Sequence, residues 1–380
     1  MTVSSFGGET YDRTLNDIFA VQDDIAQAVV KELRSTLLGD NHTQSPMQTA
    51  TLAEEIAKAT TARSDNPEAL RLCMQARFLA EKRTDAELQS AIALYEQAIA
   101  LDPSYAAAFA GLARALDLLA SYGTYDGKDP LPLWAQAKTA AEAAVMHDPQ
   151  NADAYLCLAT QAADIDRNMA EADRLIAHAL MLNPNSPDAY RAQAAQHMRR
   201  RRSEEARASL LKALLLDPLS MMARVTLAAE NISLRRYDEA EQILNEVKQM
   251  NPGWWVPDWH LERLAQIKGN QLVAVEHQIA WQQLRGNTAA AEFTRAASAG
   301  GWENYMRAAI AEPGKAGIYR AQLAYYHIVL GDMDAAFDTL NESISGHDES
   351  VLLIVSDPRF EPLYDDPRYA ELVKRTGFMQ

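Results

Sequence analysis

The stretches ADRLIAHALMLNP (172–184), ARASLLKALLLDP (206–218) and AEQILNEVKQMNP (240–252) decide the fold. Their prolines, Pro184, Pro218 and Pro252, stand 34 residues apart, and each follows a turn-forming acid or amide, Asn183, Asp217 or Asn251. Ala172, Ala206 and Ala240 open the three stretches. Ile176, Leu210 and Leu244 share the next apolar position, and Ala179, Ala213 and Val247 the one after. A fixed register of small and apolar residues, punctuated by proline, predicts a helix–turn–helix unit stacked on copies of itself. Antiparallel helices cross closely only where small side chains meet. Proline cannot continue a helix but is well suited to open the next one.

The register extends backwards. Pro149 is preceded by Ala137, Ala141 and Ala144, and Pro103 by Ala91, Tyr95 and Ala98. After the prolines come Leu112-Ala113, Leu158-Ala159, Gln193-Ala194 and Leu227-Ala228, with Phe109, Tyr155, Tyr190 and then Arg224 three to four residues before. This pattern resembles the tetratricopeptide family. The resemblance implies an all-α solenoid, a right-handed superhelix of antiparallel helix pairs that binds partners on its concave face. The step from Pro103 to Pro149 is 46 residues. Its excess is expected in the Gly/Pro/Asp-rich loop from Gly123 to Pro132. One extra residue in the next step is expected between Ile165 and Asn168.

Composition sets further bounds. The 380 residues are 48% hydrophobic with only 16 glycines, as a folded helical chain requires. Lysine plus arginine is 36 and aspartate plus glutamate 52, a net charge of −16. Such a chain repels nucleic acid and anionic lipid unless a local basic patch overrides its field. Cys73 and Cys157 are the only cysteines and read as buried thiols, not a disulfide framework. No apolar run reaches the length of a membrane span. The first residues lack the basic and apolar regions of a secretory signal, so a cytoplasmic location is expected.

In chain order, residues 1–39 read as a polar start followed by an amphipathic helix, whose apolar face carries Leu15, Ile18, Phe19, Ile25, Val29, Leu33 and Leu37. That face needs covering, by the first array helices or by a second copy of the chain. Residues 40–65 read as a linker with a short helix at 52–62. The repeat array spans 66–286 and ends at Arg285-Gly286. Degenerate helical repeats occupy 287–350, with turns at Gly300-Gly301 and Gly331-Asp332. A helical cap occupies 351–380, its last helix opening at Asp366-Pro367.

A second resemblance covers the chain from Tyr11. Tyr11-Asp12-Arg13, Asp17-Ile18-Phe19 and Gln22-Asp23, then Asn66-Pro67-Glu68-Ala69, then Asp357-Pro358-Arg359-Phe360 and Asp366-Pro367-Arg368-Tyr369 are similar to bacterial multidomain proteins. In these, a small TolB-like α/β domain precedes a tetratricopeptide array. Further upstream stands a winged-helix, class III adenylate cyclase or kinase domain. Ten residues before Tyr11 cannot build an α/β domain. The resemblance therefore implies an array whose effector is removed or absent, and no catalytic or DNA-reading residue is carried over.

No enzyme chemistry emerges. The eight histidines are scattered without ligand spacing. Gly300-Gly301 lacks the Lys-Ser/Thr of a phosphate loop. Asp23-Asp24 and Asp365-Asp366 read as helix-start charges. No cofactor and no metal are expected. The basic run Arg199–Arg202 reads as the solvated turn of one repeat, partly neutralised by Glu204-Glu205. Trp254, Trp255 and Trp259 form the densest aromatic cluster, two of them expected between repeats and Trp259 exposed.

The family geometry places a candidate site on one face of each repeat's first helix. It comprises Arg114, Asp117, Asp153, Thr160, Asp188, Arg191, Met198, Arg199, Met222, Val225, Ile232, Trp259, Arg263 and Gln266. Arg191, Arg199 and Arg263 are expected to grip carboxylates of a partner, and Met222, Val225, Ile232 and Trp259 to receive its apolar side chains. The leading expectation is a protein-interaction module that holds a peptide or partner helix, an acidic one by charge. The alternative is the sensory portion of a bacterial regulator or cyclase.

Overall fold

The computed structural model describes residues 64–125, 128–346, 348 and 351–378. The chain divides into two compact units, residues 1–61 and 62–380. The expected helix from Leu15 to Leu37, the helix at 52–62 and any contact between copies through the N-terminal segment lie outside the described residues.

The second unit is an all-α solenoid, and its described residues contain no strand. Six antiparallel pairs come first: α1 (Pro67–Ala80) with α2 (Asp85–Leu101), α3 (Ala106–Thr124) with α4 (Leu131–His147), and α5 (Ala152–Asp164) with α6 (Met169–Leu182). Then follow α7 (Pro187–Arg199) with α8 (Ser203–Leu216), α9 (Met221–Ser233) with α10 (Tyr237–Met250), and α11 (Val256–Ile267) with α12 (Gln271–Leu284). Two less regular groups come next, α13 (Thr288–Ser298), α14 (Trp302–Ala311) and the short α15 (Pro313–Ala316), then α16 (Arg320–Val329) and α17 (Met333–Ser345). The chain ends in α18 (Val351–Ser356), a 3-10 turn (Pro358–Leu363) and α19 (Pro367–Thr376).

The repeated alanines lie where the helices of a pair cross. Ala91, Ala172, Ala206, Ala240 and Ala274 are wholly buried, and so are Ala113, Ala194 and Ala228 on the facing helices. Leu210 and Leu244 fill the space beside them without exposure. The acid or amide before each proline has a specific task. Asp102, Asp148, Asn183 and Asp217 accept the backbone N–H two residues on, at 3.0, 2.9, 3.1 and 3.1 Å. Each thereby turns the chain out of one pair and into the next.

The turn inside each pair is equally regular. Asn168, Arg202, Arg236, Asn270 and Asp332 donate their N–H to the carbonyls of Ala162, His197, Asn231, Ala265 and His327 at 2.7–2.9 Å. This closure needs the preceding residue in the left-handed region. Gly269 and Gly331 take that position at no steric cost, but Arg167, Arg201 and Arg235 also hold it, as does Arg83 in the first pair. For a residue with a Cβ this costs roughly 1–2 kcal/mol.

One expectation changes. Gly123 and Thr124 are helical, not loop. About half of the excess between Pro103 and Pro149 lengthens α3 to 19 residues, against 13 in α5. The added turn carries Tyr122 and Tyr125 across to the tryptophans.

The solenoid curls until distant turns meet. The Asn251 amide donates to the Lys82 carbonyl at 3.1 Å, and Arg285 pairs with Asp85 at 3.7 Å. The C-terminal segment crosses the turns of the middle pairs. Arg167 donates to the carbonyls of Ile344 and Arg375, Arg201 lies over the Tyr364 ring, and Arg235 pairs with Glu361 at 2.6 Å.

Leu210→Ala should cost about 2–5 kcal/mol of stability, because the residue is wholly buried at a crossing. Leu215→Ala, five residues on at a solvated site, should stay within about 0.5 kcal/mol. Urea melts of both variants check the register, and equal losses would refute it.

Candidate functional site

The curl forms a half-open cavity of about 360 Å³ on the inner face. Its walls come from the first helix of successive pairs. Arg114 and Asp117 enter from α3, Asp153 and Thr160 from α5, and Asp188, Arg191, Met198 and Arg199 from α7. Met222 and Val225 come from α9, and Trp259 and Arg263 from α11. Ile232 and Gln266 do not reach the cavity. Ile232 is fully buried in the core, and the Gln266 amide donates to Glu262 at 2.9 Å.

Two features of the walls differ from expectation. All three tryptophans are buried, including Trp259 at 5% exposure. They meet the lengthened end of α3. The Trp254 indole N–H donates to the Tyr122 hydroxyl at 2.8 Å, and Tyr125 stands edge-on to Trp255 and Trp259 at 5.1 and 5.3 Å between centroids. Trp259 still lines the cavity, but as part of a packed aromatic wall, not a solvated platform. The second feature is that the arginines are already engaged. Arg199 pairs with Asp164, and Arg263 is buried against Asp357 at 2.9 Å. Arg263 is therefore not free to grip a partner's carboxylate.

Asp357 anchors the C-terminal segment. It accepts from Arg263 Nε at 3.0 Å, from Arg359 Nε and Nη2 at 3.1 and 2.9 Å, and from the Arg359 backbone N–H at 3.0 Å. Burial opposes its charge, but Arg359 and Arg263 outweigh burial and hold the carboxyl well below the usual range. Arg263 also donates to His260 Nδ1 at 2.8 Å. Burial and that guanidinium hold His260 well below its ordinary value, so the ring is neutral. The anchor seats α18 at the cavity, where Leu352, Leu353 and Ser356 complete the lining.

The opposite wall is a charge cluster. Asp188 bridges Arg114 at 2.7 Å and Arg191 at 3.3 Å. Burial raises its carboxyl, yet Arg114, Arg191 and Arg83 reverse this and hold it below the usual range. Arg83 itself is buried, with Glu81 at 3.5 Å and the Trp254 ring at 5.9 Å. Burial and then Arg114 lower its affinity for its proton. Asp153 lines the cavity as an exposed side chain and makes no hydrogen bond or ion pair with another side chain. Five further polar atoms of lining residues have no protein partner: Arg83 Nε, Arg199 Nε, Trp255 Nε1, Trp259 Nε1 and Gln196 Oε1. Cys157 also lines the cavity, but burial pushes its thiol far up, so it is no nucleophile.

Behind the aromatic wall lies an irregularity that the repeat register foretells. Glu262 occupies the α11 position held by Ala113, Ala159, Ala194 and Ala228 in the other pairs. Its wholly buried carboxylate accepts from Trp281 Nε1 at 2.6 Å, from Gln266 and from Gln322. Burial pushes it up to about 7 despite these bonds.

Among the described residues no His/Cys/Asp/Glu group could hold a metal, and no helix is long and apolar enough to cross a membrane. The helix pairs define a tetratricopeptide-like helical repeat protein. No protein-family model matches the chain, and no curated protein matches it. Among solved structures, yeast Tom70 is similar over 94% of this chain and 83% of its own, at 16% identity and a TM-score of 0.41. The human IFIT1 dimer with m7Gppp-AAAA is similar over 87% of each chain, at 17% and 0.47. The APC/C hetero-tetramer Cut9-Hcn1 is similar over 85% of this chain and 58% of its own, at 14% and 0.49.

Asp357→Ala should cost about 3–5 kcal/mol, because it leaves two buried guanidiniums without their anion. A melt of the variant checks this, and a loss under 1 kcal/mol would refute the anchor. Glu262 predicts a pH dependence. Its folded value exceeds its ordinary 4.5, so between about pH 4.5 and 7 the folded chain keeps a proton that the unfolded chain has released. Stability from this group is full below pH 4.5 and falls as pH rises through 7. Glu262→Gln should flatten that slope in melts between pH 5 and 8.

Proposed function

We propose that this chain is a binding module without catalysis of its own, and that its ligand sits inside the cavity on the inner face. The observation that carries the reading is a cavity of about 360 Å³ whose lining gathers five arginines and four aspartates beside Trp254, Trp255 and Trp259.

The volume favours a small ligand. It falls within the roughly 300–1,000 Å³ of small-molecule pockets. The Asp357 anchor also holds α18 against the cavity, where Leu352, Leu353 and Ser356 take room that a partner helix would need. The sensory reading is therefore preferred to a groove for a partner helix. Together with the resemblance to bacterial multidomain regulators, it supports a cytoplasmic regulatory role. A protein partner could still present a short extended end to the cavity.

Ala195 lines the cavity from α7 with room beside it. Ala195→Phe should fill the space and leave the far-ultraviolet spectrum unchanged. In a thermal-shift screen of small molecules and short peptides, ligands of the cavity should raise the melting temperature of the wild type and not of the variant. Saturation at 100 times Kd adds about 2.7 kcal/mol. Equal shifts in both proteins would place the binding elsewhere.

A further inference from the structure

The buried side chains around Glu262 form a network whose donors and acceptors balance in one ionisation state only. Glu262 is wholly buried, and three groups meet its carboxylate: the Trp281 indole N–H at 2.6 Å, the Gln266 amide N–H at 2.9 Å and the Gln322 amide N–H. All three donate. A carboxylate can only accept, so the ionised acid completes the set.

The two amides are held in their orientation from the other side. The Gln266 carbonyl accepts from Arg359 Nη1, and the Gln322 carbonyl accepts from the same nitrogen at 3.5 Å. A guanidinium has donors and no acceptor, so Arg359 fixes which end of each amide faces Glu262. Arg359 in turn holds Asp357 through Nε and Nη2, at the foot of the C-terminal segment.

A proton on Glu262 upsets this balance. The acid then carries an O–H that must donate, and a buried donor left without an acceptor is unfavourable. The Trp281 indole cannot accept. One amide must therefore reverse, bringing its carbonyl to Glu262 and its NH2 against Arg359. In that step Arg359 loses an acceptor and the negative charge of Glu262 together. The other charged and titratable groups facing Glu262 do not offset the loss. His277 on α12 favours the ionised acid, as Arg359 does. Tyr305 on α14 and Tyr319, Tyr325 and Tyr326 at α16 stay neutral, because burial raises their hydroxyls. On α11 itself Arg263 is held by Asp357, and His260 is neutral.

We infer that Glu262 is a proton-sensitive latch: taking up a proton turns Gln266 or Gln322 about, weakens the hold on Arg359 and loosens the C-terminal segment, residues 351–378, from the last regular pair.

Arg359 sets the sign. Its charge favours the ionised acid, so the ionised acid favours a seated Arg359, and between the two folded arrangements the proton selects the looser one. Against the unfolded chain the sign is opposite, because there the burial of the acid dominates. Burial pushes Glu262 up to about 7 despite the Trp281 bond and the Arg359 charge, so the change falls near neutral pH. α18 belongs to the loosened segment and lines the cavity, so the latch acts on one cavity wall whatever occupies it.

Hydrogen exchange of the full chain at about pH 6 and about pH 8, corrected for the intrinsic effect of pH on exchange, tests the latch. Amides of 351–378 should lose about tenfold or more of their protection at the lower pH, as expected when a hydrogen bond to a charged group is lost, while α1 and α2 should not change. Glu262→Gln carries the extra donor of the protonated acid and no charge, so its segment should show the low-pH protection at both values. His277→Gln should keep the wild-type response. Equal protection of the wild-type segment at both values would overturn the inference without any variant. So would a response that persists in Glu262→Gln or disappears in His277→Gln. If Glu262→Gln does not fold, the wild type and His277→Gln decide.

Discussion

Two helices pack as closely as these do only where the side chains between them are small. Ala172, Ala206 and Ala240 on one helix of a pair, and Ala194 and Ala228 on the other, hold the paired axes together. The same asymmetry makes the array curl, since small residues on one side and larger ones on the other tilt each pair against the next. The curl brings Asn251 against Lys82 and Trp254 against Tyr122. Without that closure the inner face would be an open groove. With it, the face becomes a half-open cavity that gathers the charged and aromatic groups of successive pairs.

The intra-pair turns extend this argument to the C-terminal segment. A left-handed residue is needed there, and glycine meets the need at Gly269 and Gly331. Arginine stands at the same point in Arg167, Arg201 and Arg235, against its backbone preference. Each of these side chains touches the C-terminal segment or the end of α17: carbonyls for Arg167, a ring for Arg201, a carboxylate for Arg235. The local strain is thus offset by contacts made more than a hundred residues away. Gly269 and Gly331, which have no side chain to make such contacts, carry no such strain.

The repeat register was legible because it is a local constraint, set by the crossing of two helices and an Asx-Pro turn. The position of α18, of the Asp357 anchor and of the Tyr122–Trp254 bond was not, because these depend on how far the whole array curls. The candidate site divides along the same line. Helical spacing was enough to bring Arg114, Asp153, Asp188 and Arg191 to one face. It could not say that Arg263 would meet Asp357, nor that Ile232 would turn into the core. Arg83 escaped notice because it lies in a turn, outside the spacing counted from each proline. The recurrence of arginine at 167, 201 and 235, again 34 residues apart, was the available signal for the turns.

Glu262 shows how a departure from the register reads physically. A small residue belongs at that crossing, and a carboxylate there must be satisfied or neutral. Trp281, Gln266 and Gln322 satisfy it, and Gln322 comes from α16 in the degenerate region. Gln266 in turn receives Arg359, which also holds Asp357. One substitution of the repeat pattern therefore ties three parts of the chain together: the last regular pair, the degenerate helices and the C-terminal anchor. The same α11 presents Trp259 and Arg263 to the cavity from its other side. The wall that faces the cavity is thus stiffened from behind by a polar network, and a change at Glu262 is felt in all three parts.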